Sequence, residues 1–473
     1  LKTMASSMGY DVTSALAAPI ETVPPAALVE RYPAYLSAVR SALEAELPPD
    51  VVRGAGLQVT AGIDLFMQEE SEKLLEAKTR YLSTLVPVTR KEPLQSAAVL
   101  LDVETGRMRA VYGGDELTST DFNRATQSWR QGGSAFKPVV YAMAMSARDQ
   151  DGKPRFTAAS TQPNQPRVFH TARGDWRPRN VTGEYSDTAS LAHGIAWSMN
   201  LVTAALLEAL GGPKPLIEFA KKLGFDTQRF PPEMGLALGQ GEVTPLEMAE
   251  FTATIAHGGV RVRGSPVLSA IDARGLERWP APAPPEAVMT REAAALTRDL
   301  MRGVVDFGTG GAARGAGEAG YSGPMMGKTG TTDGEKDLWF VGATPRYAAV
   351  IWLGYDQPAT IGASASDLAA PLWGWWMKKM TEPDGPPPAF PDQPKLTRRG
   401  ICSITGKLPG EGCHAIPASF LPGTEPREAC TGEHAPDPVL ALLHPETQPA
   451  TDKPVYESLW KKMAREKAAA AAQ

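Results

Sequence analysis

An α+β fold, built on one antiparallel β-sheet with helices on both faces, is what this chain of 473 residues predicts. Two observations carry that expectation. β-rich runs occur early and again late, with a mainly helical stretch from about 134 to 260 between them. Segments so far apart can share a sheet only if the ends of the sequence meet in space and the helices fold back over it. Short turns inside both groups of strands make each group a hairpin, so its neighbours run antiparallel.

The first fifty or so residues are helix-prone but broken by Pro24-Pro25 and Pro48-Pro49, and they read as a tail or linker rather than core. A strand-like run, Leu57 to Ile63, precedes a helical stretch, Leu65 to Lys78, with apolar residues at helical spacing. Ala97 to Val103 and Arg107 to Tyr112 flank Glu104-Thr105-Gly106, a glycine turn that predicts a hairpin. Thr244-Pro245-Leu246-Glu247 offers an N-cap, a first-turn proline and a capping-box glutamate, and Gly258-Gly259 stops that helix. Leu338 to Thr344 and Tyr347 to Tyr355, joined by Pro345-Arg346, are the late hairpin. Beyond about 383 the chain becomes proline-rich, then cysteine-bearing, and closes on the Ala-rich 464–473. The domains expected are therefore 1–53, 54–382 and 383–473.

Composition excludes some functions. A net charge of −5 leaves no basic footprint for nucleic acid. A hydrophobic content of 42% is that of a folded globular protein. No apolar run reaches the ~18 residues of a membrane helix, and no basic start leads into an apolar signal segment. The chain opens on Leu1, and an anchor and export signal are expected in a segment upstream of it. The three cysteines all fall in the last fifth, so the middle of the chain does no thiol chemistry.

Chemistry concentrates at Gly132-Gly133-Ser134-Ala135-Phe136-Lys137-Pro138. Two glycines permit a tight turn, and Pro138 fits a helix only in its first turn. Ser134 then sits near exposed helix N–H groups, with Lys137 on the same face three residues on. A serine hydroxyl needs an adjacent base. At its ordinary pKa only about one lysine in 2,500 is neutral at pH 7, and a shift of three units costs roughly 4 kcal/mol. Burial and a second nearby cation supply that cost. Ser-x-x-Lys alone means little, and its other occurrence, Ser458 to Lys461, reads as a surface helix start. Around Ser134 the context is richer. Ser198-Met199-Asn200 offers a second hydroxyl and an amide for a substrate carbonyl. Lys328-Thr329-Gly330-Thr331-Thr332 offers the second cation, a glycine for close substrate approach, and hydroxyls for a carboxylate. These three elements in this order characterise serine penicillin-recognising enzymes.

On these motifs the chain resembles the transpeptidase domain of class A penicillin-binding proteins. Phe122-Asn123-Arg124-Ala125-Thr126-Gln127, Trp176-x-Pro178-x-Asn180, Glu242 to Ala249, Asp337 to Gly342 and Trp352 to Asp356 extend the resemblance over roughly 54–382. Gly132-Gly133 departs from the Pro-Gly usual before the serine. The resemblance implies the fold of that family, including an all-helical subdomain. It implies that Ser134 attacks the penultimate D-alanine carbonyl of a stem peptide ending in D-Ala-D-Ala, with Lys137 as base. Ser198 and Lys328 relay a proton to the leaving D-alanine, Asn200 holds the peptide, and Thr329 and Thr331 bind the carboxylate, with Gly330 between them. The oxyanion sits between the N–H groups of Ser134 and Thr331. A neighbouring stem-peptide amine resolves the acyl-enzyme, β-lactams trap it, and no metal or cofactor takes part. Leu1 to Ala18 is similar to the end of a glycosyltransferase domain, which places the parent protein on the periplasmic face of the inner membrane. Water as acceptor would make a D,D-carboxypeptidase, and acylation without turnover a penicillin-sensing receptor. A β-lactamase is disfavoured because no Glu-x-x-Leu-Asn segment lies between the second and third motifs.

Elsewhere, His170, His193 and His257 read as structural, and Trp373, Trp375 and Trp376 as core or packing surface. Cys402, Cys413, Cys430 and His434 admit two readings: a Cys₃His zinc site, or a disulfide such as Cys413 with Cys430 that leaves one thiol over.

Overall fold

Five strands form the central sheet in a computed structural model of the chain, which describes residues 31–434 apart from 87–91, 116–120, 172–173, 182, 184, 316–319 and 392–393. They are β1 (Gln95–Asp102), β2 (Met108–Tyr112), β3 (Met326–Thr331), β4 (Asp337–Ala343) and β5 (Tyr347–Gly354). Their spatial order is β3-β4-β5-β1-β2, and every pairing is antiparallel. The expected meeting of the two ends is the β5–β1 seam, from Tyr347 opposite Asp102 to Gly354 opposite Gln95. Successive side chains of a strand point to opposite faces. Ala97, Val99 and Leu101 accordingly enter one apolar cluster while Ala98 and Leu100 enter another. Helices Lys137–Ser146, Pro245–Ala256 and Arg291–Phe307 cover the first face, and Leu65–Ser83 and Ala369–Thr381 the second. The capping box at Thr244 and Glu247 forms as the sequence predicts.

One expectation needs correction. The residues before 54 are not all linker. Pro33–Glu46 is a helix whose Tyr35, Ala38, Val39 and Leu43 join the main core, and the Tyr35 hydroxyl donates to Met108 O at 2.8 Å. Pro33 starts this helix rather than breaking it, because the first turn needs no N–H there. The region after 383 also adds to the main core. Its hairpin, β6 (Thr397–Cys402) with β7 (Ala415–Phe420), sends Ile401, Ile416, Ala418 and Phe420 into the same core. Of the two readings of its cysteines, the structure has no disulfide among Cys402, Cys413 and Cys430. The helical region also carries two small strand pairs, Thr161–Asn164 with Ser186–Ser190 and Phe169–Thr171 with Gly174–Trp176. Trp373 and Trp376 are core, donating to Ala349 O and Ser71 Oγ. Leu1 to Ala18, Ser458 to Lys461 and 464–473 lie outside the described residues. No helix among the described residues is long and apolar enough to cross a membrane.

Candidate active site

Ser134 sits on a single 3₁₀ turn, Gly133–Phe136, that runs directly into helix α1 (Lys137–Ser146), with Pro138 in its first turn. Glycines hold this turn in place from two sides. Gly133 has a left-handed φ of +51°, and its N–H donates to Gly239 O. A β-carbon on Gly239 would stand 2.1 Å from Gly133 O, so that loop can close only on glycine. On the other side, a β-carbon on Gly330 of β3 would stand 2.7 Å from Ala135 N. The space on the Cβ side of Gly330 is therefore filled by the serine-bearing turn. Trp339 Nε1 donates to Gln131 O at 3.0 Å, and Arg124 grips Asp356 through two bonds of 2.7 and 2.6 Å. The approach to Ser134 is thus fastened to the end of the sheet.

The second motif lies between helices α2 (Leu191–Ala196) and α3 (Asn200–Ala209). Ser198 is in the left-handed region at φ +57°, which costs a non-glycine residue about 1–3 kcal/mol and clusters at functional sites. Helix α3 has no side-chain cap of its own. Buried Asn180 serves instead, its Oδ1 accepting from Asn200 N at 2.9 Å and Leu201 N at 3.2 Å. Asn180 Nδ2 in turn donates to Asn164. Sequence reading quoted Asn180 within a segment but gave it no role, because a cap supplied from twenty residues upstream leaves no local signature.

Lys137 and Lys328 are both fully buried. Lys137 Nζ donates to Ser198 O at 2.6 Å, Asn200 Oδ1 at 2.7 Å and Ser198 Oγ at 3.3 Å. Lys328 Nζ donates to Thr329 O at 2.8 Å and Ser198 Oγ at 2.9 Å. Among the described residues, every acceptor of these two ammonium groups is a neutral oxygen. Burial without a counter-charge pushes the Lys137 pKa well below its ordinary value, and the neighbouring Lys328 cation lowers it further. Burial brings Lys328 down to about 7. The hydroxyl that the two lysines share is that of Ser198, whereas the sequence argument had centred both on Ser134. The amide oxygen of Asn200 accepts from Lys137, and its Nδ2 donates to Arg179 O.

Such lysines weaken the fold. The folded state binds fewer protons than the unfolded one between pH 7 and 10.5, so the cost of burying the Lys328 cation is present in full below pH 7 and fades as pH rises through that interval. Lys328→Met removes this cost but takes the side-chain donor from Thr329 O and one of two donors from Ser198 Oγ. Chemical denaturation should find the variant more stable by about 2–3 kcal/mol at pH 6, with the gain shrinking toward pH 10.

These groups open onto one cleft of about 790 Å³, lined among others by Ser134, Ser198, Asn200, Thr329 and Thr331. Thr329 Oγ1 bonds Thr309 Oγ1 at 2.6 Å, and Thr331 Oγ1 accepts from Ala365 N at 3.1 Å. Thr309, Gly239 and Gln240 also line the cleft and were not foreseen. Of the residues the sequence singled out, the buried Lys137 and Lys328 lie behind the wall and the rest border the cavity or pack against it.

Residues 96–373 match the family described as penicillin binding protein transpeptidase domain, and residues 393–434 match penicillin-binding protein 1A, C-terminal domain. Penicillin-binding protein 1A of Neisseria lactamica is 35% identical over 319 residues, covering 63% of this chain and 38% of that protein. That of Aquifex aeolicus is 31% identical over 356 residues, covering 72% and 46%. The chain thus spans about two fifths of the length of the curated relatives it matches. In fold it is similar to penicillin-binding protein 1A from Haemophilus influenzae, with a TM-score of 0.71 at 20% identity over 91% of this chain and 82% of that one. It is also similar to the PonA1 protein from Mycobacterium tuberculosis in complex with penicillin V, with a TM-score of 0.62 at 23% identity over 76% and 96%. With the transpeptidase match extending over more than half its length, this chain belongs to the penicillin-binding protein transpeptidase family.

Proposed function

We propose that the chain is a peptidoglycan D,D-transpeptidase working through an acyl-serine at Ser134, on the extracytoplasmic side of the membrane. The observation that carries this reading is two buried lysines, both without a carboxylate, meeting at Ser198 in the cleft that Ser134 lines. Neutral Lys137 takes the Ser134 proton as Oγ bonds to the penultimate D-alanine carbonyl carbon. The C–N bond to the terminal D-alanine breaks, and the proton reaches the leaving nitrogen through Ser198, with charged Lys328 as donor beside it. Backbone N–H groups of Ser134 and Thr331, both of which line the cleft, take the oxyanion. Thr329 and Thr331 hydroxyls take the terminal carboxylate. Asn200 orients Lys137 and keeps one amide N–H for the stem peptide. An amine of a second stem peptide then attacks the ester, freeing Ser134. The relatives of the chain favour neither the carboxypeptidase nor the receptor reading.

The test is to supply a D-Ala-D-Ala-terminated stem peptide with and without an amine acceptor and to separate the products by mass. Cross-linked dimer in excess of hydrolysed peptide is expected, and hydrolysis alone would overturn the transpeptidase assignment. Gly330→Ala gives a second check, because the new methyl drives into Ala135. Displacing Ser134 by even ~1 Å should slow penicillin acylation about 10²-fold, read by stopped-flow or intact mass.

A further inference from the structure

Far from the cleft mouth, the chain after β6 turns through a short knuckle. Cys402 N donates to Lys407 O at 2.8 Å and Gly406 N to Cys402 O at 2.9 Å. A second segment joins it where Leu408 N donates to Glu428 O and Cys430 N to Leu408 O. This brings together Cys402, Cys413, Cys430 and His434, whose ligating atoms all lie within 4.8 Å of one another. His434 Nε2 is 3.3 Å from Cys402 Sγ and 3.5 Å from Cys413 Sγ. In a tetrahedron with zinc–sulfur bonds of about 2.3 Å and zinc–nitrogen bonds of about 2.0 Å, the sulfur–nitrogen edge is about 3.5 Å. The observed spacings are those edges.

Two further observations point to a metal. The apolar cluster around the knuckle contains only Cys402, Ile404 and Cys430, with Cys413 packed against it, too small a core to hold this module closed. The odd number of cysteines, awkward for disulfides, is accounted for in full by three sulfurs and one imidazole. We propose that Cys402, Cys413, Cys430 and His434 bind a structural zinc ion. Binding displaces three thiol protons, leaves the imidazole neutral and gives a site of net charge −1, with no redox step. Calcium and magnesium want oxygen ligands, and iron–sulfur clusters want four thiolates, so the mixed soft set favours zinc.

The module leans directly on the segment that delivers Ser198. Ser190 N donates to Ser403 O at 2.8 Å, and Thr188 Oγ1 to Ile404 O at 2.9 Å. His414, beside Cys413, packs edge-on against His193 of α2 at 5.9 Å between ring centroids. Gly406 is pressed so close to Ala159 O that a β-carbon would stand 1.8 Å away. Zinc therefore clamps the buttress behind α2, and this role is independent of which acyl acceptor the enzyme uses.

The test uses the full chain, tag-free and expressed with zinc. Elemental analysis should find about one zinc per chain, and replacement by cobalt(II) should give the absorption of a tetrahedral cobalt thiolate. Cys413→Ser and the milder His434→Ala should each lose most of the zinc. Because a variant can fail to fold, the wild-type metal content and cobalt spectrum decide independently. Zinc-free wild-type protein carrying a Cys413–Cys430 disulfide would overturn the proposal, as would zinc retained in both variants.

Discussion

Ser134→Ala exposed to penicillin is expected to show no covalent adduct by intact mass, while the wild type gains one penicillin and keeps it for hours. The loss should be at least ~10⁴-fold in acylation rate, the scale on which removing a nucleophile acts. The prediction is pointed because the cleft holds a rival hydroxyl. Ser198 is the one touched by both lysines. Its Oγ lies 3.3 and 2.9 Å from the two lysine Nζ atoms, a position that suits it to pass a proton between them rather than to attack a carbonyl. Ser134 borders the open cleft at the start of a helix, where N–H groups favour the developing charge. An adduct persisting on Ser134→Ala, traced by peptide mapping to Ser198, would exchange the roles of the two serines. Ser198→Ala should still acylate, more slowly.

Lys137→Met should slow acylation by roughly 10³-fold while weakening non-covalent penicillin binding little, since it removes a base rather than a binding contact. Stopped-flow separation of binding and acylation constants checks this split. Wild-type acylation should rise with pH as Lys137 loses its proton, because only the neutral amine accepts one, and Lys137→Met should lack that rise. Above about pH 7 the rate should fall again as Lys328 ceases to be a cation able to donate. The two limbs belong to the pair rather than to either lysine alone. A rate independent of pH would remove Lys137 from the chemistry.

The hairpins and capped helix were legible because their signals are local: alternating apolar residues, a glycine turn, a capping box. The burial of Lys137 and Lys328 close to one another was legible through motif order and through the demand that a basic lysine have burial or a cation nearby. What escaped is what the fold alone creates. Asn180 caps a helix it does not belong to. Gly330 looks like a site residue in sequence, but its missing side chain makes room for Ala135. Thr309 reaches the cleft only because its N–H donates to Ala196 O. The helix at Pro33–Glu46 was misread because proline pairs mark boundaries of elements as readily as linkers.

The β5–β1 seam has a consequence for biogenesis. About 250 residues separate its two strands, so the entropy of closing that loop is spent before any ladder bond across it forms. During synthesis at about 5–20 residues per second, β1 must wait on the order of ten seconds or longer for its partner to be made. Until then the apolar segment Ala97–Leu101 has an open edge on one side, a template for pairing with another nascent chain. Chaperone capture of this strand, and slow refolding that is sensitive to protein concentration, follow from the same long-range pairing that builds the enzyme's core.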